Sequence, residues 1–274
     1  MSATHTRSVS TTVSRDGTEI GYWTSGQGPP LLLVHGGFGD HTRWGALRPH
    51  LESHVTVHAM DRRGRGASGD AAEYDLAREA EDVAAVLDTI SASSGAPVDV
   101  YGVSSGASYA LAAAGVTDNI RRLVLYEPPA GSAVELVPAE LRERLDVLLA
   151  AGERAQLVET FFRDALGLGP DGLAELKAQP SWRGRVEAAH TFPRELATPP
   201  ERWFDPAQAA QVTVPVLMLQ GTETGQALVR DTQKVAAALP DVRIALLEGQ
   251  AHSADLLAPE LVARELLAFL GPST

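Results

Sequence analysis

At 274 residues, 44% hydrophobic and 21% charged, the chain has the size and composition of one large folded domain or two small ones, which excludes long disorder. It contains no cysteine, which excludes disulfide scaffolds, thiolate nucleophiles, iron–sulfur clusters and cysteine-ligated zinc. A net charge of −12 argues against nucleic acid and anionic membranes as partners, because both are held by Lys and Arg.

Met1–Thr12 is polar and lacks the apolar core of a leader peptide. The longest apolar runs fall far short of a membrane span, so the cytoplasm is the expected location. Val9–Ser14 and Glu19–Ser25 alternate like strands, with Asp16-Gly17 as the hairpin turn. Leu31–Val34 is a continuous apolar run, the pattern of a strand buried on both faces. Val55–Met60 predicts a strand that ends at Asp61. Ala72–Ser91 has helical spacing through Leu76, Ala80, Val83, Ala84 and Leu87. Val98–Tyr101 predicts a strand, Gly106–Ala114 a small-residue helix, and Leu123–Tyr126 a buried strand stopped by Pro128-Pro129.

The texture changes between residues 131 and 211, which hold Trp182, Trp203 and several Phe, helices such as Ala139–Ala150, and no clear strand. Strands return at Val214–Gln220 and Arg243–Leu247, with helices at Gln226–Leu239 and Pro259–Leu270. Alternation of this kind predicts an α/β fold: a mostly parallel sheet with helices on both faces. Residues 1–130 and 212–274 would form the core, and 131–211 a helical cap over the carboxyl ends of the strands, where such sheets bind ligands. There is no internal repeat.

Gly102-Val103-Ser104-Ser105-Gly106 matches G-x-S-x-G between a predicted strand and a predicted helix, which is the context a nucleophile elbow requires. The turn is tight, so small residues must flank the serine. A serine hydroxyl needs a base. His252 follows the last predicted strand and is the last histidine of the chain.

In these motifs the chain resembles an α/β-hydrolase across nearly its whole length. The resemblance is carried by His35-Gly36-Gly37-Phe38, by Asp61-Arg62-Arg63-Gly64-Arg65-Gly66, by the elbow, and by Gly249-x-x-His252. It implies a triad with Ser104 as nucleophile and His252 as base, and an oxyanion hole from the amides of Gly37 and Ser105. Members usually carry an aspartate where this chain has Thr224, three residues after Gly221. Two carboxylates could replace it, Glu127 and Glu223, and Glu127 is preferred. It closes the strand after the elbow, where certain haloalkane dehalogenases and the zearalenone-type lactone hydrolases place their acid. The latter are also similar at Ser104-Ser105-Gly106-Ala107-Ser108. Haloalkane and epoxide hydrolysis are disfavoured, because those relatives need an aspartate at Ser104.

Other features read as structural. Gly64-x-Gly66-x-x-Gly69 formally fits a dinucleotide fingerprint, but no helix opens at its third glycine. His50, His54 and His58 are spaced by four, but the last lies in a predicted strand, so solvated histidines are expected. Glu73, Glu79, Glu81 and Asp82 read as a solvated helix face.

No cofactor and no metal are expected, and the partner is a small molecule; a homodimer is left open. Phe38 and Trp182 are the residues expected to touch substrate, Trp182 through the same lactone-hydrolase resemblance. An aromatic cap suits an apolar ester or lactone, with bulky groups preferred over short acetyl esters. Two alternatives stay open: a lyase or cyclase using the same triad, and a degenerate hydrolase that only binds a ligand, the latter motivated by Thr224.

Overall fold

The structure, a computed structural model, describes residues 8–271. Most of the polar stretch Met1–Thr12 therefore lies outside the described residues. Eight strands form one sheet: β1 (Ser8–Val13), β2 (Glu19–Gly26), β3 (Pro30–Val34), β4 (Thr56–Met60), β5 (Val98–Val103), β6 (Ile120–Tyr126), β7 (Val216–Gly221) and β8 (Val242–Leu247). Their order across the sheet is β1-β2-β4-β3-β5-β6-β7-β8. The first two strands pair antiparallel around the Asp16-Gly17 turn, and β2 pairs antiparallel with β4. From β4 across to β8 every pairing is parallel.

Parallel strands need crossovers, and helices supply them. The helices are α1 (Leu76–Ser94), α2 (Ser105–Ala113), α10 (Gln226–Ala238), α11 (Ala254–Leu257) and α12 (Pro259–Leu270). The central strands β3 and β5 are buried along their whole length, which explains their unbroken apolar runs. One apolar cluster joins α1, α2 and α10 to one sheet face; a second joins α12 to the other. Among the described residues, no helix is long and apolar enough to cross a membrane.

Between β6 and β7 the described residues form helices and turns only: α3 (Ala133–Leu136), α4 (Ala139–Ala150), α5 (Arg154–Asp164), α6 (Pro170–Ala178), α7 (Trp182–Glu187), α8 (Phe192–Leu196) and α9 (Pro206–Ala209), with short 3-10 turns. Their third apolar cluster includes Leu141, Leu145, Leu157, Phe162 and Phe192, and it also takes in Phe38 from the core.

Two expectations are corrected. Glu79 and Asp82 are not solvated; both are fully buried. Arg62, on the turn after β4, grips Glu79 through two nitrogens at 2.9 and 2.6 Å, and Arg63 grips Asp82 at 2.7 Å through two nitrogens. A helix face reads as wet from its own composition, but arginines from a distant turn cover this one. His58 is likewise buried, because its strand is interior; its Nδ1 lies 3.0 Å from the Thr24 hydroxyl.

Candidate active site

The carboxyl edge of the sheet collects the ends of β3, β5, β6, β7 and β8. Among the described residues, three non-glycine residues have positive φ: Phe38 (57°), Ser104 (53°) and Glu127 (47°). Backbone strain of this kind costs about 1–3 kcal/mol per residue and gathers at functional sites. All three follow the ends of neighbouring central strands.

The elbow is built by close approach. A Cβ on Gly102 would lie 2.7 Å from the Cα of Ala107, and one on Gly106 would lie 2.3 Å from the carbonyl oxygen of Val34. Both contacts are with backbone, which cannot yield. The chain therefore turns sharply at Ser104 and enters α2, with the Ser104 amide bonded to the Tyr126 carbonyl at 2.8 Å. The next ladder position is taken by Glu127, whose amide reaches the Leu219 carbonyl at 3.3 Å. Parallel pairing in register thus places nucleophile candidate and acid candidate on adjacent strand ends.

His252 sits half-buried in the loop after β8. Its Nδ1 lies 2.5 Å from Oε2 of Glu127, whose side chain is fully buried. The other carboxylate oxygen accepts the Gly221 amide at 2.8 Å and the Thr224 hydroxyl at 2.5 Å. Thr224, the position where the sequence resemblance leads one to expect an aspartate, thus holds a donor to Glu127. Glu223 is exposed and has no hydrogen bond or ion pair to His252. Tyr126 adds a tether that the sequence did not reveal: its hydroxyl donates to the Ala251 carbonyl and accepts the Ala254 amide at 3.3 Å.

The loop from His35 to Phe38 lies beside the elbow. His35 is fully buried, and burial together with the charges of Arg62 and Arg65 holds it well below the usual histidine range, so it is neutral. Its Nε2 accepts the Arg62 amide at 3.2 Å, which leaves the proton on Nδ1 to donate to the Gly36 carbonyl at 2.9 Å. Arg62 also donates to the Ser105 hydroxyl at 3.3 Å and to Glu195 of α8 at 3.0 Å. Burial works against the Arg62 charge, and Glu195 and Glu79 overcome it, so its guanidinium is held well above its ordinary value. This buried network was not legible in sequence; the only signal was the Arg-rich turn itself.

Ser104, Ser105, Gly36, Gly37 and His252 line one cavity of about 90 Å³, closed on its other side by Phe161, Phe162, Phe192, Leu196 and Trp203. Phe38 and Trp182, the residues expected to touch substrate, are not among those that line it. Phe38 is buried behind it, with ring centroids 4.1 Å from Phe192 and 5.0 Å from Phe161. Trp182 packs on the helical segment's own apolar cluster. Aromatic content identifies the segment that walls the cavity but not the rings that face it.

The fold and this strand-end constellation define an α/β-hydrolase, and the comparisons agree. The description of the Alpha/beta hydrolase family matches residues 31–265, and the chain belongs to that family. It is similar over 96% of its length to a solved alpha/beta hydrolase from Sphaerobacter thermophilus, at 34% identity and TM-score 0.79, covering all of that chain. A curated "Pyrrolizixenacetamide deacetylase" of Xenorhabdus hominickii is 36% identical over 110 residues, 39% of this chain and 40% of that protein. "Lipase LipV" of Mycobacterium tuberculosis is 32% identical over 146 residues, 53% of each chain. The matched stretches thus span about half or less of these curated relatives.

Proposed function

We propose that the chain is a cofactor-independent serine hydrolase of carboxylic esters or lactones that carry apolar groups. Ser104 Oγ attacks the acyl carbonyl, and His252 Nε2 takes its proton. The amides of Gly37 and Ser105 hold the oxyanion, and the imidazolium passes its proton to the leaving oxygen. Water then attacks the acyl-enzyme by the same route in reverse. Residues 131–211 act as a cap over the sheet edge and supply the apolar walls.

The observation that carries this reading is the 2.5 Å contact between His252 Nδ1 and a buried Glu127, in a cavity that His252 shares with Ser104. With Nδ1 so engaged, Nε2 is the nitrogen left to serve the serine. The strained φ of Ser104 supports the nucleophile role. The finer likeness to zearalenone-type lactone hydrolases rests on the acid at Glu127 and supports including lactones. The motive for a ligand-binding relic was Thr224, and its hydroxyl serving Glu127 removes that motive. The acidic balance supports a small-molecule substrate rather than a polyanion.

Replacing the serine tests the assignment. Ser104→Ala should lower kcat by about 10⁶-fold while the thermal unfolding curve stays in place. A fluorophosphonate probe should label the parent chain and not the variant. Retention of more than a few per cent of turnover would remove Ser104 from the mechanism. Product formation without incorporation of oxygen from labelled water would replace hydrolysis by lyase or cyclase chemistry.

A further inference from the structure

We infer that the substrate is divided unequally about Ser104: a short acyl group in the inner cavity and a larger apolar leaving group in a second cavity beyond His252. This rests on the serine-hydrolase reading and names the substrate class within it.

The inner cavity of about 90 Å³ is far smaller than the roughly 300–1,000 Å³ usual for small-molecule sites. A second cavity of about 250 Å³ adjoins it. Both are lined by Leu136, Phe162, Leu166, Leu228, His252 and Ser253, so the two spaces meet at the imidazole. Together they fall just inside the lower end of the usual range. The residues that would bind the carbonyl oxygen and attack its carbon, Gly37, Ser105 and Ser104, line the inner space alone. The second cavity runs out past Leu176 and Leu256 to Glu223 and the exposed Leu257.

Proton balance orients the substrate across this pair. Attack forms the bond from Ser104 Oγ to the acyl carbon and sends the serine proton to His252. Collapse breaks the bond to the leaving oxygen, which receives that same proton from His252. The leaving oxygen must therefore face the imidazole, and the group attached to it extends into the space His252 shares with the outside. The acyl chain is left with the inner space, closed by Phe161 and Phe192. The favoured substrates are short-chain esters of bulky apolar or aryl alcohols. This inverts, for the acyl half only, the expectation that acetyl esters are poor.

Two ester series test the division. With the alcohol held as 2-naphthol, kcat/KM should fall by roughly 10-fold or more from acetate to octanoate; a methylene that fits or fails to fit is worth about 10–200-fold. With the acyl group held as acetyl, 2-naphthyl acetate should exceed methyl acetate by roughly 10-fold or more. Phe161→Ala should shrink the first ratio by opening the inner wall, and Leu256→Trp should shrink the second by filling the outer space. A preference for octanoate over acetate, or two ratios that neither variant moves, would overturn the division while leaving the hydrolase reading standing. A folded chain that hydrolyses no ester would overturn both.

Discussion

Glu127 binds three donors with two oxygens: the imidazole on one, and the Gly221 amide and the Thr224 hydroxyl on the other. Such an arrangement locks the carboxylate and, through it, the tautomer of His252. Glu127→Gln should keep the fold and lower kcat by about 10³–10⁴-fold, the scale for a triad acid turned into an amide. Glu223→Gln should change kcat little, since its side chain is exposed. The opposite ranking in steady-state kinetics would move the acid to Glu223. Thr224→Val keeps the shape but removes a donor to a charged acceptor, a bond worth about 1.5–3 kcal/mol. It should therefore cost kcat about 10-fold, and a rate equal to the parent's would reduce Thr224 to filler. A candidate acid was legible in sequence only as a choice between two glutamates. What brings Glu127 rather than Glu223 to the imidazole is contact between residues 94 to 125 positions apart.

At the scale of elements, the elbow is where sequence and structure agree most closely. Two glycines at fixed spacing are demanded by backbone passing backbone, and such a demand leaves its mark in the sequence. Gly106→Ala would set a Cβ 2.3 Å from the Val34 carbonyl, so strand β3 and helix α2 would have to separate. Overpacking of this kind typically costs about 1–3 kcal/mol or more, and denaturant titration should find that loss together with lost turnover. Helix α1 is the opposite case. Its polar residues Glu79 and Asp82 gave no sign of burial, because their partners Arg62 and Arg63 lie on another element. Burial acts to raise the Glu79 carboxyl, and the charges of Arg62 and Arg65 overcome it and leave it lowered. Removing one partner of a buried pair costs about 3–5 kcal/mol. Glu79→Ala should lose stability on that scale in denaturant titration, whereas Glu73→Ala, at an exposed position before the helix, should lose almost none.

For the whole molecule, buried histidines link stability to pH. Burial pushes the His58 imidazole down to about 4 from an ordinary 6.5. The folded chain therefore resists a proton that the unfolded chain accepts. The stability His58 supports is complete above about pH 6.5 and is lost as the pH falls toward about 4, by up to ~3 kcal/mol. His35, also held neutral by burial, acts in the same direction. His58→Gln can still bond Thr24 but cannot titrate. Its unfolding free energy should fall less than the parent's between pH 7 and pH 4.5; equal slopes would show that His58 is not part of the acid limb.

The sequence by itself determined the order of strands and helices, the tight turn at Ser104, the candidate histidine after the last strand, and the helical segment set between β6 and β7. Each of these is written locally, in hydrophobic period, in glycines that a turn cannot do without, or in position along the chain. The tertiary structure alone decided which glutamate meets His252, that Thr224 donates to it, that Glu79 and Asp82 are buried, and that Phe38 packs against Phe161 and Phe192. Those outcomes depend on how strand ends and turns far apart in the chain come together in register. A side chain's neighbours across a sheet edge leave no period or spacing in the sequence from which they could be read.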